Sequence, residues 1–229
     1  MPMTLFVFFC GTNMSKMPMR KVYHDVMRGL LDLVFPPRET ELLVRSIRPE
    51  ALASLVNPVT NEAGVVALLP YREPLVHALI IETKYHGNTA ASSLLASVLS
   101  DYLLERMSEE TELERRNIAL IPLPLSGKRK RERGYNQVEQ VLQEAATQLG
   151  AHMETNLLTR TRHTTPQTRL SKEERRTNVT DAFRTTTPDP AYLYIVVDDV
   201  LTTGATLAEA VHTLTKAGAD RVIAVALAH

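Results

Sequence analysis

Ile195-Val-Val-Asp-Asp-Val-Leu-Thr-Thr-Gly-Ala-Thr206 is the stretch whose reading decides the fold of this 229-residue chain. A short β-branched apolar run suits a strand buried on both faces. It closes on two adjacent carboxylates, Asp198 and Asp199, and a loop of hydroxyls around one glycine then opens a helix. The run extends back to Tyr192, which predicts a strand over 192–200. Leu207, Ala210, Val211 and Leu214 carry a helical period as far as the stop at Gly218. Val222 to Leu227 reads as a second apolar strand. Strand, helix and strand in such short succession predict a parallel βαβ unit with the right-handed crossover.

Each part of that loop has a physical task. A helix N-terminus exposes unpaired N–H groups at the positive end of its dipole, so Thr203, Gly204, Ala205 and Thr206 can wrap a phosphate with amides and hydroxyls. Gly204 permits close approach and a positive φ. Asp198 and Asp199, at the strand's carboxyl end, can accept hydrogen bonds from vicinal sugar hydroxyls or hold Mg²⁺ through water. Phosphate at one end and a diol at the other describe a ribose 5-phosphate. Other phosphate motifs fit less well: no GxGxxG precedes a helix, no GxxxxGK[ST] occurs, and a DxDxT motif would need an Asp where Val200 stands. The purely structural alternative is a strand end followed by an ordinary helix start.

Working outward, Ile118 to Leu123 is another short apolar run and predicts a buried strand. A loop dense in positive charge comes next, then a helix bearing Val138, Val141, Leu142, Ala145 and Leu149, and a short strand at Thr155 to Leu158. Nearer the start, Val65 to Leu69 reads as a strand or buried turn. Pro74 opens a helix carrying Leu75, Leu79, Ile80 and Thr83 that stops at Tyr85-His86-Gly87-Asn88. A further helix carries Leu94, Leu95, Val98, Leu99, Tyr102 and Leu103. Val22 to Val34 fits a short amphipathic helix, and 38–57 fits helical turns broken at Pro49. The pattern predicts an α/β protein: a central, mainly parallel sheet flanked by helices over 64–229, preceded by an N-terminal helical extension over 1–63.

Composition narrows the function classes. Hydrophobic residues make up 44% and charged residues 23%, the values of an ordinary globular chain. With 26 basic and 26 acidic residues the formal charge is zero, so any affinity for nucleic acid must come from local clusters. One such cluster exists. From Ser126 to Arg176 eleven Lys or Arg face six Glu, a local net of +5. Its guanidinium forks suit diphosphate oxygens, and the same residues suit a nucleic-acid backbone, with Tyr135 as a ring for stacking on a base.

The longest early apolar run, Leu5 to Cys10, is about a third of the roughly 18 residues a spanning helix needs. No Lys or Arg precedes it to form a signal peptide. The segment before Met14 or Met17 reads as a frayed terminus or an upstream start. The single Cys excludes an intramolecular disulfide and a multi-cysteine metal site. These features read as a cytoplasmic chain with no membrane span.

The string 195–206 resembles the phosphoribosyl diphosphate signature of type I phosphoribosyltransferases. Upstream, Ile121-Pro-Leu-Pro-Leu followed by Arg129, Arg131 and Arg133-Gly-Tyr-Asn-Gln is similar to the motif of the ComF family, the competence-associated branch that includes GntX-like proteins. Arg162-His-Thr-Thr-Pro-Gln167, Leu170, Arg175, Arg176, Asn178 and Ala182-Phe183 repeat that pattern in order, as do Tyr71, Pro74-Leu75 and Lys84-Tyr85-His86-Gly87. The resemblance implies the type I phosphoribosyltransferase fold. It implies a phosphoribosyl-binding set of Asp198, Asp199, Thr202, Thr203, Gly204, Ala205 and Thr206, with Asp198 and Asp199 also toward Mg²⁺. Arg129, Arg131, Arg133, Gly134, Asn136 and Gln137 would bind diphosphate or DNA, and Arg162, Gln167, Arg175, Arg176 and Asn178 would form a flap.

The chain departs from the family near Leu31 to Pro37, which resembles the lead-in to a four-cysteine zinc module. Arg38-Glu39-Thr40-Glu41 stands where the first cysteines would fall, so no zinc is expected. Two functions are implied. One is binding of phosphoribosyl diphosphate or a ribonucleotide with Mg²⁺, with displacement of diphosphate at the anomeric carbon as the reaction of such a glycosyltransferase; no catalytic residue is assigned. The other is a non-catalytic competence accessory in DNA uptake that binds single-stranded DNA and a helicase partner. No base-reading loop is identifiable, which favours nucleotide binding over turnover.

Overall fold

A computed structural model describes residues 32, 36–108, 117–161 and 181–229. The chain divides into two compact units, Met1–Glu39 and Thr40–His229, and the second holds every β-strand of the described residues. The elements in chain order are α1 (Glu39–Ser46), α2 (Pro49–Ala53), β1 (Val59–Thr60), β2 (Val66–Leu69), α3 (Pro74–His86), α4 (Thr89–Arg106), β3 (Ile118–Pro122), α5 (Gly127–Arg133), α6 (Gln137–Leu149), β4 (His152–Met153), β5 (Leu158–Arg160), β6 (Phe183–Thr185), β7 (Leu193–Val200), α7 (Ala205–Lys216) and β8 (Arg221–Ala228).

The main sheet runs β1-β2-β8-β7-β3-β4, parallel except where β1 pairs with β2. Side chains alternate across it as a pleat requires. Leu193, Ile195 and Val197 of β7 join the core beneath α3, α4 and α6. Tyr194 and Val196 join the opposite core, with Leu207, Ala210 and Leu214 of α7 and with Leu158 and Phe183. The sheet is thus covered on both faces, which is why its central strands read as continuous apolar runs. Truncating a fully buried side chain such as Ile195 to Ala would cost about 2–5 kcal/mol. Val44 of α1 and Leu52 of α2 belong to the α3/α4/α6 core.

Helix ends follow local chemistry. Pro74 starts α3, and Gly87, in the left-handed region, ends it; Asn88 then caps α4 by accepting from the Ala91 N–H at 3.2 Å. Two expectations change. The charged loop at 128–133 is a helix, capped by Ser126 and stopped by Gly134. The strand expected at Thr155 to Leu158 lies at Leu158–Arg160, paired antiparallel with β6 in a separate two-stranded sheet. The two-residue strands β1 and β4 are too short to leave a pattern in the sequence. The helix expected at Val22 to Val34, apart from the helical Asp32, lies outside the described residues, as do Arg162, Gln167, Arg175, Arg176 and Asn178. No helix among the described residues is long and apolar enough to cross a membrane.

Candidate functional site

Adjacent strands β3 and β7 send the chain in opposite directions. β3 leads through α6 to β4 at one edge, while β7 leads through α7 to β8 on the other side, and the two helices cover opposite faces. In open α/β sheets such divergence opens a crevice at the carboxyl ends of the strands, where ligands bind. The last rung here is Leu123 N–H to Val197 C=O at 2.8 Å, and the next residues of β7 are Asp198 and Asp199.

The two carboxylates are placed differently. Asp199 Oδ2 takes Lys84 Nζ at 2.8 Å and the Gln137 Nε2 donor at 2.5 Å. The side chains of the ion pair are only 18% and 13% exposed, which separates it from the weak pairs of an open surface. Asp198 Oδ1 accepts the Asp199 N–H at 2.8 Å. Burial pushes the Asp198 carboxyl up to about 7, and the neighbouring Asp199 charge adds to this. The Asp199 N–H, Lys84 and Arg129 pull the other way. Both residues are half-buried, and α3 and α6 bring Lys84 and Gln137 onto Asp199.

The hydroxyl loop is held from across the sheet edge. Gly204 precedes α7 at φ +78°, and a Cβ there would collide with Asn61 Nδ2, so both torsion and space demand glycine. Asn61 Nδ2 donates to the Thr203 carbonyl at 3.3 Å, while its Oδ1 accepts the N–H groups of Ala63 and Val65, each at 3.0 Å. Thr203 Oγ1 accepts from the Ala205 N–H at 3.4 Å. Asn61 was missed by sequence reasoning; its signal was its place in a turn ending at Gly64.

Helix α5 carries Lys128, Arg129, Lys130 and Arg131 exposed to solvent, with Glu132 3.7 Å from Lys128. Arg133 is different. Its guanidinium lies 5.3 Å from the centre of the Tyr85 ring, and Nη1 donates to Gln137 Oε1 at 2.9 Å. Gly134 ends the helix at φ +77°. Tyr135 donates its hydroxyl to the Thr83 carbonyl at 3.0 Å and is half-buried, so it is a clasp onto α3 and not an open stacking ring. Asn136 is buried; it donates to the Leu123 carbonyl at 3.2 Å and caps α6 through Val138 N–H.

Arg160, at the end of β5, was also missed. It lies 5.4 Å over the Phe183 ring. Burial lowers its pKa, Arg129 adds to that, and Asp198 opposes it, so the three share one electrostatic neighbourhood. Among the described residues no group of three or more His, Cys, Asp or Glu is arranged to hold a metal ion.

The sheet order, with the acid pair and the glycine loop at the carboxyl ends of its diverging strands, defines an α/β protein of the open, mostly parallel class. No protein-family model matches the chain. It is 33% identical over 159 residues to the DNA utilization protein YhgH of Salmonella typhimurium, covering 69% of this chain and 68% of that one. It is 34% identical over 155 residues to Competence protein F of Haemophilus influenzae, covering 66% of each. YhgH of Escherichia coli K12 is 33% identical over 153 residues, 67% of this chain and 65% of the relative. The chain belongs to this family of competence and DNA-utilization proteins, the ComF family.

Proposed function

We propose that the chain is a DNA-utilization protein that grips single-stranded DNA on α5 and takes a phosphoribosyl group, as phosphoribosyl diphosphate or a ribonucleotide, in the crevice beside it. The observation that carries this reading is an exposed, strongly basic helix, α5, whose Arg129 charge acts on the Asp198 carboxyl and partly offsets the rise that burial imposes on it. The names of the relatives support the DNA half, and a DNA-uptake helicase is the partner such a role would need. Four exposed cations on α5 suit a phosphate backbone, whose affinity is electrostatic and salt-dependent.

The crevice supports the nucleotide half. Thr202 to Thr206 would cradle the 5-phosphate, with Gly204 letting the backbone approach. Asp198 and Asp199 would face the diol. Mg²⁺ fits this donor set: it takes one or two carboxylates and shares the rest of its shell with water and substrate phosphates. Asp198 is held through Oδ1 and Asp199 through Oδ2, which leaves each a second carboxylate oxygen to offer. When bound with diphosphate, Mg²⁺ would neutralise its charge. If phosphoribosyl transfer occurs, these residues orient the sugar and place charge around an oxocarbenium-like centre, and no protein nucleophile is needed.

Calorimetric titration with phosphoribosyl diphosphate, with and without Mg²⁺, and then with a short oligo-dT tests both halves. Binding of oligo-dT that falls steeply with salt supports the first; Mg²⁺-dependent binding of the diphosphate supports the second. Failure of both ligands to bind overturns the proposal.

A further inference from the structure

The segment Arg133-Gly-Tyr-Asn-Gln137 is built into a closed ring of polar contacts. Lys84 and Tyr85 are neighbours on α3. Lys84 pairs with Asp199, Asp199 accepts from Gln137, Gln137 accepts from Arg133, and Arg133 returns to the Tyr85 ring. Gln137 is 2% exposed, and both ends of its amide are engaged. Burying an amide whose donor and acceptor point in opposite directions is unfavourable unless both are satisfied. Arg133 satisfies the oxygen and so fixes which end of the amide faces Asp199: the NH₂ end.

From this geometry we infer that Gln137 is a positioning residue, holding the Asp199 carboxylate so that its second oxygen meets the sugar, and that Arg133 serves the same role by orienting Gln137. The inference rests on the crevice taking a ribosyl group. It removes Arg133 and Gln137 from the diphosphate or DNA contacts and leaves Lys128, Arg129, Lys130 and Arg131 for those. It also specifies what is discriminated: ligands with a ribose should depend on Gln137, and anions without one should not.

The test compares two probes on the full chain, phosphoribosyl diphosphate and inorganic diphosphate, both without Mg²⁺, so that a metal held by Asp199 does not enter the comparison. Gln137→Glu is isosteric but presents an acceptor to Asp199, while Gln137→Met fills the space and removes both hydrogen bonds. If Gln137 positions Asp199, Gln137→Glu should weaken phosphoribosyl diphosphate by about tenfold or more and Gln137→Met by somewhat less, from the loss of a hydrogen bond to a charged group. Inorganic diphosphate should change less than about twofold. A merely volumetric role predicts the reverse order, with the isosteric Glu benign. Arg133→Gln, at a half-exposed position, should give a smaller loss with the same selectivity, and it carries the test if the buried variants do not fold. Equal loss of both probes, or no loss of either, overturns this inference alone. Failure of the unaltered chain to bind either probe overturns the crevice reading and this inference with it.

Discussion

Replacing Asp198 with Asn should stabilise the folded chain at alkaline pH while weakening the site. The Asp198 carboxyl is pushed from 3.8 up to about 7, first by burial and then by Asp199. A folded-state pKa above the unfolded value means that the native state holds the proton more tightly. Stability from this group is therefore fully present below pH 3.8 and is lost as pH rises through about 7. At 1.36 kcal/mol per unit, complete ionisation would cost on the order of 4 kcal/mol as an upper figure. Relaxation around the ionised carboxylate reduces that figure, and about 2 kcal/mol is the working value. Asn cannot ionise, and its Oδ1 can keep the bond that Asp198 accepts from the Asp199 N–H.

The unaltered chain should thus lose stability between pH 5 and pH 8 relative to Asp198→Asn, and the gap should widen by about 1–3 kcal/mol over that interval. Urea titrations followed by circular dichroism at the two pH values measure it. A gap that stays constant, or a variant less stable at pH 8, would show that burial does not raise this carboxyl. The stabilised variant should also bind phosphoribosyl diphosphate more weakly, the exchange of function for stability common at sites built from unfavourable charges.

Oligo-dT binding should show a log–log salt slope near −0.7 for each phosphate neutralised, and Lys128→Ala, Lys130→Ala and Arg131→Ala together should flatten it by about 2 units; an unchanged slope would place the DNA elsewhere. Gly204→Ala, which forces a side chain into φ +78° and against Asn61, should lower stability by about 1–2 kcal/mol and abolish phosphate binding, and a melting temperature equal to that of the parent would contradict the loop geometry. Purified protein should contain no stoichiometric zinc, since Cys10 is the single cysteine; metal analysis finding about one zinc per chain would mean that His and carboxylate ligands hold it instead.

What was legible in the sequence is what sequence neighbours settle between themselves. The strand β7, the glycine turn and α7 are one uninterrupted run, so acid pair, hydroxyl loop and helix could be read together. The apolar runs of β2, β3 and β8 were legible because burial on both faces leaves no polar alternation to confuse them. Helix α5 was hidden by its own charge: seven residues with five cations give no apolar period, and only the Ser126 cap and the Gly134 stop mark it. The contacts that complete the site were not legible at all. Gln137 and Asp199 are 62 residues apart, and Asn61 and Thr203 are 142 apart. Such pairs form because the sheet order brings β2, β8, β7 and β3 side by side, a tertiary fact with no local signature.

The acid pair shows why those distant partners matter to chemistry. Two adjacent carboxylates on one strand have the same intrinsic acidity and would repel each other equally, so nothing in Asp198-Asp199 as a dipeptide assigns them different tasks. Environment does this. Asp199 receives a cation and an amide donor, Lys84 and Gln137, on one oxygen. Asp198 receives one backbone N–H, and its burial leaves a carboxyl titrating near 7. Splitting two like groups by surroundings is the general route to separate acid–base roles in one site. Here the split depends on α3 and the Arg133–Gln137 segment, so a change in either should alter the acid pair without touching it. The motif in β7 supplies the groups, and the helices packed above it decide what each group can do.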